Sequence, residues 1–146
     1  MIEAEQAVAT YLTLDGHVFI APQYNIAYDK TLDEGGCVPD FVAIDLKLRE
    51  IVIVEVSVAA DMKPLIRRIE KRQTRWYGPV ERRLKKIFAV DGDWKSPRFI
   101  GFVRAANVAL MQKRFFGDGD VAFKAIEETS HSWNYWDERL ANGLPR

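Results

Sequence analysis

The feature that most constrains this chain is the run at residues 51–58, Ile-Val-Ile-Val-Glu-Val-Ser-Val, in which six of eight positions are β-branched hydrophobics. A run of that kind has both faces covered, so it reads as a strand in the middle of a sheet. One acid, Glu55, interrupts it. Burying an unpartnered carboxylate costs several kcal/mol because its hydration is lost. Glu55 therefore needs a reason, and two are open: an ion pair with an arginine, or a bound divalent cation.

The rest of the pattern supplies neighbours for that strand. Residues 3–14 carry Ala4, Ala7, Val8, Tyr11 and Leu12 at helical spacing, closed by Asp15-Gly16. Residues 17–21 and 24–28 read as short extended segments, and 38–46 as a strand joined to 51–58 by a tight turn, which makes an antiparallel hairpin. A helix follows over 62–76, interrupted at Gly78-Pro79, with another turn or two at 80–86. A short strand is expected at 88–90 and a longer one at 98–103. Helices are expected at 105–116, 121–129 and 132–140. This order predicts an α/β fold: a single domain over 1–146 with a central mixed β-sheet flanked by helices. At 146 residues there is room for one core only.

The net charge of zero conceals a division. Residues 63–86 hold ten basic side chains against Glu70 and Glu81, and the remainder carries the matching negative excess. A local surplus of that size is the footprint of a polyanion-binding surface, with Arg67, Arg68, Lys71, Arg72, Arg75 and Tyr77 as its expected contacts. A solvated helical face is the alternative, but it would mix signs at i,i+4. No apolar run is long enough to span a bilayer and no signal peptide is visible, so no membrane is expected as a partner. The single cysteine, Cys37, fits a reducing cytoplasm. One Cys with His17 and His131 makes no zinc ligand set.

Pro39-Asp40, followed by Glu55-Val56-Ser57 fifteen residues after the aspartate, resembles the signature of the PD-(D/E)XK nucleases. The helix–strands–helix–strand order over about residues 3–104 is similar to theirs as well. The resemblance implies a restriction endonuclease-like core and a nuclease or endonuclease hydrolysing phosphodiester bonds of nucleic acid, DNA in first place. It implies Mg²⁺ (or Mn²⁺) held by Asp40, Glu55 and the main-chain carbonyl of Val56. Glu5 stands at the spacing of a metal-site glutamate in Holliday-junction resolvases, with Glu3 as its rival. An ordinary first-turn glutamate, favourable to the helix dipole, is the plain reading of both. Gln73 and Tyr77 match a Gln-x-x-x-Tyr pattern found beside the active site in recombination-type exonucleases of the superfamily.

The motif lysine is replaced by Ser57, and Lys63 is the expected substitute because it starts the following helix. The alternative is a catalytically impaired module that binds nucleic acid without cleaving it. Trp133, Tyr135 and Trp136 read as a helix packing on the core, with a homodimer seam as the competing use.

Overall fold

The computed structural model describes residues 3–88, 93–130 and 133–146. The predicted α/β class is the observed one. Five strands form one mixed sheet in the order β1-β2-β3-β4-β5: β1 (Val18–Pro22), β2 (Phe41–Asp45), β3 (Glu50–Ser57), β4 (Arg98–Val103) and β5 (Val121–Ala125). The first three run antiparallel, while β3–β4 and β4–β5 are parallel. The β-branched run is thus the middle strand, as its composition requires. The turn before it is built by Asp45, whose Oδ1 accepts the amides of Lys47 and Leu48, and by Arg49 at φ 56°.

Each face of the sheet has its own core. Val8 and Leu12 of α1 (Glu3–Thr13) pack with Val52, Val54 and Phe102 on one face. On the other, Leu65 and Ile69 of α2 (Lys63–Glu70) join Trp76, Ile53 and Phe99. The Trp76 and Phe99 rings stack with centroids 5.3 Å apart. Met111 of α4 (Ala105–Arg114) belongs to the same cluster. The last helix, α5 (Trp133–Asn142), is tied to the end of α1 by the buried Arg139, whose guanidinium donates to the carbonyls of Tyr11 and Leu12 and pairs with Asp15. These carbonyls are among the acceptors that a helix C-terminus leaves open. Of the C-terminal aromatics, Trp136 donates its indole N–H to Thr129 while Trp133 is exposed. No helix among the described residues is long and apolar enough to cross a membrane.

Three expectations about elements need correction. Residues 121–129 are not a helix: 121–125 form β5, and only a 3₁₀ turn (Ile126–Glu128) follows. A short apolar run cannot be assigned by periodicity alone, and here the open edge of the fully buried β4 decides it. Residues 24–28 make only isolated bridges, Ile26 with Cys37 and Asp29 with Glu34. Gly78-Pro79 does not break the helix. A π-helical turn (Gln73–Tyr77) leads straight into α3 (Gly78–Phe88), with proline in the first turn, where its missing N–H is harmless. The strand expected at 88–90 falls largely outside the described residues.

Gly101 of β4 stands opposite Glu55, and a Cβ there would lie 2.8 Å from the ring of Phe123. The Phe123 ring thus covers the backbone beside Glu55. Gly101→Ala is expected to lower unfolding free energy by roughly 1–3 kcal/mol, the usual cost of overpacking a filled core. Urea denaturation checks this, and an unchanged midpoint would contradict the packing described.

Candidate functional site

The site begins where the β2–β3 ladder ends. Phe41 pairs with Val54, so the next antiparallel partners are Asp40 and Glu55. At that step the ladder is closed by a side chain: the Val56 amide donates to Asp40 Oδ2 at 2.7 Å. Side chains alternate along a strand, and Glu55 shares the parity of Ile51 and Ile53, as Asp40 shares that of Val42. All of these hydrophobics lie in the core beneath α2. Asp40 and Glu55 thus emerge on the same face, with their carboxyl groups within hydrogen-bonding reach of each other. Ser57, at the same parity, follows on that face, its Oγ accepting the amide of Ala59.

Burial is the largest influence on Glu55, which is only 7% exposed, and the adjoining Asp40 carboxyl adds to it. Together they push the Glu55 carboxyl up to about 8, against the opposing pull of Arg68. Arg68 places Nε 3.3 Å from Glu55 Oε1, but its side chain is half-exposed, so the pair is screened and does not outweigh burial. Burial and the Asp40 carboxyl thus both favour the protonated form of Glu55. Two carboxyl groups this close form a donor set that suits a hard divalent cation, which would neutralise both. The N–H and C=O of one strand residue point the same way, so the Val56 carbonyl also faces the Asp40 side.

Around this pair the expectations divide. The cation on Glu55 is Arg68. Lys63 is exposed in the first turn of α2, its amide capped by Asp61, with no ion pair to Glu55. Glu5 lies on α1, which covers the opposite face of the sheet from the Glu55 side chain. Among the described residues no three His, Cys, Asp or Glu side chains form a metal-holding group.

Gln73 and Tyr77 are not beside the carboxylates. The wider π-helical turn rotates them toward the opposite end of the sheet, where both line a cleft with Asp120 and Pro97. There the Tyr77 hydroxyl donates to Asp120 Oδ2 at 2.8 Å, and Arg72 Nε reaches the same oxygen at 2.7 Å. Burial, then Asp120, raises the Tyr77 hydroxyl above the usual phenol range. Tyr77 is thus buried and Arg72 half-buried, both engaged with Asp120. Arg67, Arg68, Lys71 and Arg75 remain together around one cavity.

Two neighbours escaped the reading of the sequence. Gln23 donates Nε2 to Asp40 Oδ1 at 3.4 Å and its amide to the Asp40 carbonyl at 2.9 Å. Its φ of 51° turns the chain out of β1, a strained conformation of the sort that gathers at functional sites. The β1–β2 register, which runs from Val18 opposite Asp45, would have placed Gln23 against Asp40. Trp76, a core residue, is also a cavity wall. Comparison of the chain with protein-family models, curated proteins and solved structures returns no match.

The raised Glu55 carboxyl has a consequence for stability. Its unfolded value is about 4.5 and its folded value about 8, so between them the native chain holds a proton that the unfolded chain has released. Stability therefore falls as pH rises through this window. In chelator-treated protein, Glu55→Gln removes the effect. The variant is expected to gain on the wild type from pH 5 to 8, by at most about 1.4 kcal/mol per pH unit, and to level off above. Chemical denaturation across pH checks it; parallel curves would contradict the assignment.

Proposed function

We propose that the protein is a divalent-metal-dependent phosphodiesterase acting on nucleic acid, DNA in first place, with Asp40 and Glu55 as its metal-holding carboxylates. One observation carries the reading: two acidic side chains at the end of a hydrophobic hairpin meet on one face, and one of them is pushed up to about 8. A structural ion pair with Arg68 explains less, because a half-exposed arginine is a weak reason to bury Glu55 beside a second acid.

In this reading Asp40 and Glu55, with the Val56 carbonyl, hold Mg²⁺ or Mn²⁺. The bound ion supplies charge neutralisation at the phosphate and a more acidic water. Asp40 is kept in place by the Val56 amide and Gln23, so it needs no reorganisation to receive the ion. Arg68 is the positive charge nearest the carboxylates and takes the part expected of the motif lysine, stabilising negative charge that develops on phosphate oxygens. Arg67 and Lys71 hold backbone phosphates without reading bases, which makes binding salt-sensitive. Hydrolysis adds water across the phosphodiester: a new P–O bond forms as the bond to the departing nucleoside oxygen breaks.

A second reading, nucleic-acid binding without cleavage, is favoured by Ser57 in the lysine position and by the seating of Arg68 on Glu55. Cleavage assays on single-stranded, duplex and branched DNA separate the two. Mn²⁺-dependent cleavage is expected, falling at least about 100-fold in Asp40→Asn and in Arg68→Ala, the scale of losing one transition-state contact. Salt-sensitive binding with no cleavage by the wild type would establish the second reading, and cleavage that survives Asp40→Asn would remove the first.

A further inference from the structure

Beside Glu55, beneath the 24–37 loop, Cys37, Arg67, Arg68, Lys71, Arg75 and Trp76 enclose a cavity of about 210 Å³. Four of these six are cations and none is an acid. Arg67 on α2, Lys71 just after it and Arg75 in the π-helical turn bring three positive charges to the same space. Charges this close repel by about 1 kcal/mol per pair in water and by more where water is scarce.

Acidic partners offset this only in part. Arg68 has Glu55 at 3.3 Å and Arg75 has Asp33 at 3.8 Å. Among the described residues, Arg67 and Lys71 have no acid within ion-pair distance. Trp76 forms the inner wall. Trp76 is 1% exposed, and its indole N–H has no hydrogen-bond partner. The group near it is the Cys37 sulfur, a weak acceptor that does not complete a bond. Cys37 itself donates to the Arg75 carbonyl at 3.1 Å, and burial pushes its thiol up to about 11, so it brings no negative charge. Four cations thus line the cavity, and two acids beside it offset them only in part.

We propose that this cavity is a phosphoryl-binding site. The group it takes is a tetrahedral phosphate, whose oxygens accept from Arg67, Arg68 and Lys71, with the Trp76 ring as the wall behind them. By volume it has room for about seven waters at roughly 30 Å³ each, which suits one phosphate group and not a stacked nucleoside. Guanidinium carries five donors in a planar fork, so Arg68 can hold this phosphate while keeping Glu55. The anchored group then lies one side chain from the Asp40–Glu55 pair. This deepens the phosphodiesterase reading, and rests on it only for the identity of the substrate; the binding stands on the cavity.

The test follows the Trp76 indole N–H resonance of the ¹⁵N-labelled full chain in chelator, assigned by its disappearance in Trp76→Phe. The probes are inorganic phosphate and short oligodeoxynucleotides carrying a 5′-phosphate, a 3′-phosphate or neither. Inorganic phosphate is expected to shift the resonance saturably, where sodium chloride of equal ionic strength does not. The Arg67→Ala/Lys71→Ala variant, altered at two exposed positions, is expected to bind at least about tenfold more weakly. Preference for an end-phosphorylated strand identifies a terminal monoester as the source, and equal response to the unphosphorylated strand identifies a backbone diester. An indole signal that no probe moves, or that moves equally in the double variant, overturns the proposal. No metal is present, so that failure leaves the carboxylate pair standing. Loss of the carboxylate reading with phosphate binding intact would show as saturable shifts without cleavage.

Discussion

The hydrogen bond from the Val56 amide to the Asp40 carboxylate is the contact on which the candidate site depends. It forms where main-chain pairing between β2 and β3 stops, and it replaces a ladder bond with one to an acid. Without it Asp40 would be an ordinary residue entering a strand. With it, Asp40 is fixed against Glu55, and burial of the pair sets the proton affinity of Glu55. A charge-assisted bond of 2.7 Å holds its geometry better than a neutral one. Glu55 is thus positioned by the sheet, and Asp40, the residue before β2, by its bonds to Val56 and Gln23.

The sheet gives that corner its environment. β3 is covered on both faces, by α1 through Val52 and Val54 and by α2 through Ile51 and Ile53, so water reaches Glu55 only from the end of the strand. Gly101 and Phe123 close the side toward β4, and Arg68 stands at the open side. The positive charge of residues 63–86 divides by role. Arg72 and Arg82 make tertiary ion pairs with Asp120 and Glu34, which bind the helical segment to the rest of the fold. Arg67, Arg68, Lys71 and Arg75 converge near the carboxylates.

Much of this was legible in the residues. The β-branched run declared the central strand, and the anomaly of Glu55 within it marked the site, because burial of a carboxylate is costly in any fold. Asp40 came from its place in the Pro39-Asp40 and Glu55-Val56-Ser57 pattern, and the hairpin register sets it opposite Glu55. What failed was whatever depended on exact helical phase or on distant partners. Gln73 and Tyr77 fit a motif by spacing, but one extra residue per turn in the π segment rotates them to Asp120, and a spacing rule built on 3.6 residues does not foresee that. Closeness to the helix start points to Lys63, whereas the cation on Glu55 is Arg68, one turn further along. Residues 121–125 became a strand because β4 required a partner, a demand that lies elsewhere in the chain.

The central claim is that Asp40 and Glu55 lie side by side because a divalent cation belongs between them. Anomalous scattering from a crystal soaked in Mn²⁺ at pH 8 tests it most directly. The account predicts one strong peak within bonding distance of an Asp40 oxygen, a Glu55 oxygen and the Val56 carbonyl, with Arg68 drawn back from Glu55. A crystal with no peak there, and with Arg68 still on Glu55, would contradict it.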